Sequence, residues 1–152
     1  MALKPIAALL FRCTATLIGC GPADWGNAFV PPLAMRGTRA ITYRPGPEGK
    51  LDVWRPLCGG DHRPVVVWLY GGYWEKGQRA KYRPLAFPFT SAGCVVVIPD
   101  YRLYPGIPFP TFIDDAAAAV GWAHRHAAEF GGDPNRIFLA GHSAGGYVAA
   151  ML

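Results

Sequence analysis

The fold of this chain is decided by residues 136–152, which read RIFLAGHSAGGYVAAML. Residues 136–140 are mostly apolar, which predicts a buried strand, and residues 144–152 are small or apolar without proline, which predicts the start of a helix. Between them lies Gly141-His142-Ser143-Ala144-Gly145, a G-x-S-x-G sequence. The order of strand, tight turn and helix is the context in which this sequence forms a nucleophile elbow, so Ser143 is the candidate nucleophile.

The elbow needs its glycines for a steric reason. A strand-to-helix turn this tight leaves no room for side chains two residues before and after the serine, where Gly141 and Gly145 stand. His142 is adjacent to Ser143, so we expect its ring to diverge from the hydroxyl and to stabilise the turn. The alternative is a glycine-rich turn with an incidental serine.

The preceding sequence alternates between strands and helices. Residues 65–70 and 95–98 are continuous β-branched runs, which are typical of strands covered on both faces. Residues 80–91 predict a short or kinked crossover helix because they contain two prolines, and residues 112–130 predict a long helix ended by two glycines. Residues 39–43 and 51–54 flank a turn sequence and predict an antiparallel pair. The pattern predicts an α/β fold with a mostly parallel sheet.

A second loop supports the elbow. Tyr70-Gly71-Gly72-Tyr73-Trp74 directly follows the strand at residues 65–70, and paired glycines let a backbone approach a reacting carbonyl. Two N–H groups of this loop and the N–H of Ala144 would form an oxyanion hole, in which a single donor contributes roughly 2.7–4 kcal/mol in the transition state. By itself, this glycine pair would be an ordinary turn.

These motifs together resemble the α/β-hydrolases, specifically the carboxylesterase branch that includes hormone-sensitive-lipase-like and feruloyl-esterase-like enzymes. The resemblance covers residues 39–152 nearly continuously and implies a three-layer sandwich that hydrolyses carboxylic esters through an acyl-enzyme. It implies that Ser143 is the nucleophile and that the oxyanion hole is formed by Gly71, Gly72, Tyr73 and Ala144. Tyr70 stands where many relatives carry histidine. The motifs that carry the resemblance are YGGYW at 70–74, PDYRLYP at 99–105, FP at 109–110 before DD at 114–115, FGGDP at 130–134 and GHSAGG at 141–146.

Other polar and aromatic residues have less specific contexts. Trp74 and Tyr104 are candidates for a substrate pocket, although packing in the core explains them equally well. Asp100 and Asp133 are expected to fix loops or cap helices. The remaining histidines are not expected to serve as the base, because His62 lies in a loop and His124 and His126 are expected to face solvent.

In this fold the triad acid and histidine follow the serine in the chain, and residues 144–152 contain neither. The sequence therefore predicts the N-terminal half of a hydrolase, truncated after the elbow, with little or no activity by itself. The strand at residues 136–140 would then lack its outer neighbour. This predicts an apolar sheet edge prone to self-association.

The first twenty residues form a separate region. They contain an apolar stretch without acidic residues, which is typical of an export signal, and end in Leu17-Ile18-Gly19-Cys20. This ending resembles a lipobox and predicts lipidation at Cys20 and an exported, periplasmic or membrane-anchored protein, although Arg12 interrupts the apolar stretch. The alternative is an ordinary N-terminal helix of a cytoplasmic protein. Residues 21–38 are predicted to be a linker.

Composition excludes several classes of function. Of the 152 residues 51% are hydrophobic and 16% are charged, which is typical of a globular domain. The net charge of +5 comes from scattered residues, so nucleic acid is not expected as a partner. No metal-binding or phosphate-binding motif is present, and no cofactor is implied. Two rival functions stay open: an amide hydrolase similar to arylformamidases, and a non-catalytic lipoprotein that binds a partner.

Overall fold

The computed structural model describes residues 30–31 and 34–152. The predicted signal segment with Cys20, and most of the predicted linker at residues 21–38, lie outside the described residues. The described chain forms one five-stranded sheet with the strand order β1-β2-β4-β3-β5. The strands are β1 (Arg36–Thr42), β2 (Lys50–Arg55), β3 (Arg63–Leu69), β4 (Val95–Pro99) and β5 (Gly132–Gly141).

The sheet is mixed. β1 pairs antiparallel with β2, and β2 with β4, whereas β3 runs parallel to both β4 and β5. The predicted antiparallel pair and parallel strands are confirmed. The predicted linker was too long by three residues, because Arg36 and Gly37 already pair with Arg55 and Trp54. Gly37 permits this pairing, since a Cβ there would overlap the Trp54 ring.

Among the described residues three α-helices connect and follow the strands: α1 (Arg83–Ser91), α2 (Thr111–His126) and α3 (Ala144–Ala150). The crossover between β3 and β4 is short, as expected, because a 3₁₀ turn at Arg79–Tyr82 leads into α1, which contains Pro88. The long helix is confirmed, but its last predicted turn is a 3₁₀ segment at Ala127–Phe130. Gly131 ends that segment with a φ of 77°.

Apolar side chains bury both faces of the sheet. On β4, Val95 and Val97 belong to the core cluster that includes Phe112 of α2 and Val148 of α3. The alternate residues Val96 and Ile98 belong to a second cluster with Ala86 of α1. Because one strand supplies both clusters, helices lie on both sides of the sheet, and the predicted three-layer α/β arrangement is confirmed.

β5 forms an open edge of this sheet. Among the described residues it pairs with β3 alone. Ile137 and Leu139 pack against the cluster beneath α2 and α3, whereas Phe138 points to the other face and is 56% exposed. The strand is longer than predicted, since it starts at Gly132. In the part of the chain that the structure describes, no helix has the length and apolarity needed to span a membrane.

Candidate active site

Ser143 occupies the turn between β5 and α3 with a strained backbone. Its φ is 55° and its ψ is −122°, a combination that residues with a side chain rarely adopt. A Cβ at Gly141 would lie 2.5 Å from the carbonyl carbon of Gly145, and one at Gly145 would lie 2.5 Å from that of Leu69. Both glycines are therefore required by contact with backbone, which is the geometry expected of the elbow.

The glycine loop after β3 lies directly against this turn. A Cβ at Gly71 would be 3.1 Å from the Cβ of Ser143 and 2.7 Å from the carbonyl oxygen of His142. The backbone N–H of His142 donates to the carbonyl oxygen of Leu69 across 3.3 Å. The fold thus brings together residues that are more than 70 positions apart in the sequence and places the loop beside the candidate nucleophile.

The loop itself turns sharply. Gly72, Tyr73 and Trp74 have positive φ angles of 136°, 58° and 60°. The carbonyl oxygen of Gly72 accepts hydrogen bonds from the N–H groups of Glu75 and Lys76, both at 3.1 Å. Ala144 is buried at the start of α3, on the other side of Ser143.

The four histidines lie in different parts of the structure. His142 is exposed, and its carbonyl oxygen accepts the N–H of Gly145 at 3.0 Å, so it stabilises the turn through its backbone. His62 and His124 are exposed elsewhere. His126 is partly exposed, and its ring stacks on the ring of Trp122 with the two centroids 4.7 Å apart. No hydrogen bond joins the Ser143 hydroxyl to a histidine or carboxylate of the described residues.

An apolar cavity of about 760 Å³ opens beside the loop, with Tyr147 of α3 in its lining. Trp74 and Tyr104 both line it, and Tyr104 is 57% exposed, so packing in the core does not explain this residue. Trp74 lines the cavity and also packs against other rings. The centroid of its ring lies 6.2 Å from that of Phe112 and 5.7 Å from that of Tyr147. Sequence reasoning missed Tyr147, although it lies one helical turn after Ser143. The lining residues are Tyr73, Trp74, Glu75, Tyr104, Ile107, Pro108, Phe109, Phe112 and Tyr147.

Asp100 lies at the end of β4 and fixes the loop, as expected. Its Oδ1 accepts the backbone N–H of Arg79 at 2.7 Å and the Tyr70 hydroxyl at 3.2 Å, and its Oδ2 pairs with the Arg79 guanidinium. Burial raises the pKa of Tyr70, and the negative charge of Asp100 raises it further, so the hydroxyl keeps its proton. Asp52, which is 1% exposed, accepts the Nε–H of Arg79 at 2.9 Å. No motif in the sequence indicates this partner.

A second ion cluster holds the next loop. Asp115 of α2 is buried and accepts the backbone N–H and the Nε–H of Arg102 at 3.0 and 2.9 Å. Arg44 lies 3.0 Å from the same carboxylate. Burial of Asp115 acts to raise its pKa, but the hydrogen bonds from Arg102 and the charge of Arg44 outweigh it and lower the pKa below its ordinary value. This cluster joins the loop at Arg102 to α2, and both elements also line the cavity, through Tyr104 and Phe112.

Other polar groups serve the scaffold. Asp133 fixes its loop as expected, since it accepts the N–H of Asn135 at 2.9 Å and the Nε–H of Arg136 at 3.0 Å. These two bonds lower its pKa. Cys58 and Cys94 are free thiols. Within residues 30–31 and 34–152 no group of three His, Cys, Asp or Glu side chains is placed to hold a metal ion.

The sequence of this chain is similar to those of known esterases. The sequence model of the BD-FAE family matches residues 51–152. The chain is 40% identical over 128 residues to carboxylesterase NlhH of Mycobacterium tuberculosis, which covers 80% of this chain and 40% of the relative. The chain thus spans less than half the length of that relative.

Solved esterases share the fold. The structure of Est2, an esterase from Thermogutta terrifontis, is similar with a TM-score of 0.67 and 32% identity, covering 79% of this chain and 45% of that chain. Esterase B from Lactobacillus rhamnosis is similar with a TM-score of 0.78, covering 95% of this chain and 46% of that chain. At 24% identity, the second likeness shows the fold alone.

Proposed function

The chain belongs to the BD-FAE family of α/β-hydrolase carboxylesterases, and from this premise we propose that it is the N-terminal part of a serine esterase with Ser143 as nucleophile. The approach of the Gly71 loop to Ser143 carries the proposal. The contact supports the proposal because backbone N–H groups of a loop this close to the serine would be available to an oxyanion, and an incidental serine in a turn would not need such a loop.

The proposed reaction has two steps. The Ser143 hydroxyl attacks the ester carbonyl carbon and gives its proton to a base, and the carbonyl oxygen becomes an oxyanion bound by N–H groups of Gly71, Gly72, Tyr73 and Ala144. The intermediate then expels the alcohol, which takes that proton, and leaves an acyl group on Ser143. In the second step water attacks the acyl group, the acid is released, and the proton lost by the water is returned to the serine through the same base. The aromatic cavity lined by Trp74 and Tyr104 would hold an apolar part of the ester.

Activation of the serine requires a base. The family order places the acid and histidine after the nucleophile, and a protein of the length of NlhH would have room for both. We therefore expect residues 1–152 alone to hydrolyse esters slowly or not at all, and a protein of the relatives' length to be active.

The direct test is labelling by a fluorophosphonate, which forms a covalent bond to an activated serine. The chain contains two serines, so Ser143→Ala is compared with the matched control Ser91→Ala, a change of the exposed serine that ends α1. We expect Ser143→Ala to abolish labelling and hydrolysis of p-nitrophenyl butyrate in the full-length protein, and Ser91→Ala to change neither. Equal labelling of the two variants would refute the assignment.

Two rival functions have observations in their favour. The aromatic lining of the cavity also suits an aryl formamide, so rates on matched aryl ester and aryl formamide substrates separate an esterase from an amide hydrolase. A non-catalytic module is favoured by the lack of a base bonded to Ser143 among the described residues. Failure of a folded, monodisperse full-length protein to label would support that rival.

We also propose that Cys20 is lipidated and holds the protein at a membrane surface. Four features support this: the apolar stretch, the lack of acidic residues, and the Gly19 and Cys20 that end the segment. Cys20→Ala should move the protein from the membrane fraction to the soluble fraction, whereas Cys13→Ala should not. An unchanged distribution of Cys20→Ala would contradict the anchor.

A further inference from the structure

A single carboxylate binds both ends of the loop that lies against Ser143. At the start of the loop the Tyr70 hydroxyl donates to Oδ1 of Asp100 across 3.2 Å, and at its end the backbone N–H of Arg79 donates to the same oxygen across 2.7 Å. We propose that Asp100 is a positioning residue of the esterase, which closes the loop of residues 70–79 and so holds its N–H groups toward the carbonyl that Ser143 attacks. The catalytic part of this inference rests on the proposed function of Ser143.

The ring of Tyr70 gives the loop a rigid base. It is stacked between Tyr82 and Tyr101, with ring centroids 5.4 and 4.5 Å away and an interplanar angle of 17° to each. The hydroxyl of Tyr101 donates to the carbonyl oxygen of Tyr70. Tyr70 is 1% exposed, so the ring and the backbone that precedes Gly71 are held from several sides.

The far end of the loop folds back onto the same ring. Gly77 has a φ of 140°, and a Cβ there would overlap the ring of Tyr70 and lie 3.1 Å from the carbonyl oxygen of Gly71. The guanidinium of Arg79 pairs with Oδ2 of Asp100. Hydrogen bonds to a charged carboxylate are the stronger ones, so this contact closes the loop more firmly than neutral partners would.

Asp52 provides a matched control for the charge. It also pairs with Arg79, at 2.9 Å from Nε, and it is as buried as Asp100 or more so. Its other bond comes from the N–H of Ala40 in β1, at 2.8 Å. Asp52→Asn therefore removes a buried charge beside the same arginine but leaves the contact between Asp100 and Tyr70 intact.

The first test measures hydrogen exchange and needs no activity. The N–H groups of Glu75, Lys76 and Arg79 are bonded within the loop or to Asp100, so they report its closure. In the full-length protein we expect Asp100→Asn to speed exchange of the peptide covering residues 71–79 by about tenfold, and Asp52→Asn to leave it within about twofold. Tyr70→Phe, a milder change, should give an intermediate increase. The proposal would be overturned if Asp100→Asn and Tyr70→Phe left the exchange of this peptide unchanged. It would also be overturned if Asp52→Asn sped exchange as much as Asp100→Asn does.

The second test measures kinetics on p-nitrophenyl butyrate. A displaced oxyanion hole weakens binding of the transition state, so Asp100→Asn should lower kcat by about tenfold with KM within about twofold. Tyr70→Phe combined with Asp100→Asn should cost less than the product of the single losses, because both remove the same contact. Positioning would be contradicted if the losses of kcat in the two single variants multiplied in the double variant. It would also be contradicted if Asp52→Asn lowered kcat as much as Asp100→Asn. A wild-type protein without hydrolysis would refute the proposed function, while the exchange result would still decide whether Asp100 closes the loop.

Discussion

The carboxyl end of β5 and its outer edge have very different surroundings. At Gly141 the strand enters a turn so crowded by the backbone of Gly145 and Leu69 that no side chain fits. Three residues earlier, Phe138 is 56% exposed on an unpaired edge. The geometry around Ser143 is thus set by backbone packing within this chain, whereas the edge carries an apolar side chain that nothing in the described residues covers. Among the described residues, β5 is therefore closely packed at its carboxyl end but unpaired along its outer edge.

The most severe test of the crowded end is Gly145→Ala. Its added methyl group would overlap the carbonyl groups of Leu69 and Tyr70, which are strand and loop backbone and cannot move aside easily. We expect a loss of more than about 3 kcal/mol in the free energy of unfolding, measured by urea denaturation.

Gly146→Ala is its control, because the nearest atom to a Cβ there is 3.5 Å away. Alanine is the better helix former, so this variant should gain up to about 1 kcal/mol. Similar losses in both variants would show that the turn is not limited by these backbone contacts.

The next effect concerns the ion cluster around Asp115. Because the pKa of Asp115 is lowered in the folded chain, its contribution to stability is present above the ordinary carboxyl pKa and is lost as the pH falls through the lowered value, below about pH 4. Asp115→Asn should cost about 1–2 kcal/mol at pH 7, a figure reduced for solvent screening because the Arg102 side chain is 39% exposed.

Denaturation curves from pH 7 to pH 3 check this, and the loss caused by Asp115→Asn should shrink toward the acid end. The neighbouring exposed residue gives the control Asp114→Asn, with an effect within about 1 kcal/mol. A loss independent of pH would argue that Asp115 acts by shape rather than charge.

A smaller change isolates the strain at the elbow. Glycine adopts the positive φ of Ser143 without cost, whereas alanine does not. Ser143→Gly should therefore be more stable than Ser143→Ala by about 1 kcal/mol, as measured by thermal unfolding. Equal stability of the two variants would mean that the elbow stores no strain.

The open edge should give the smallest change in stability. Phe138→Lys is expected to leave the free energy of unfolding within about 0.5 kcal/mol, but to lower self-association measured by sedimentation. Leu57→Lys, a change at another exposed apolar residue, should leave self-association unchanged. If both variants behave alike, general surface apolarity rather than the β5 edge would be the cause.

Sequence reasoning located the elbow and the loop because their signals are local. Glycines at fixed spacing after an apolar strand are typical of few kinds of turn, and residues 70–74 and 141–145 each lie within one such turn. The pairing of Asp52 with Arg79 could not be predicted because its signal is not local. The two residues are 27 positions apart in the sequence, and only the packing of the 3₁₀ turn against β2 joins them. The start of β1 was missed because its pairing depends on Gly37 fitting against the Trp54 ring. The stacking of His126 on Trp122 was not predicted either.

The crowding of Gly71, Gly141 and Gly145 by main-chain atoms separates two kinds of position in the chain. A scan of all single substitutions should find these three glycines nearly invariant among functional variants. Cavity residues such as Tyr73, Tyr104 and Phe109, which are 72%, 57% and 61% exposed, should accept many replacements. A lineage built on this scaffold can therefore change the lining of the cavity by single substitutions while the backbone around Ser143 stays fixed.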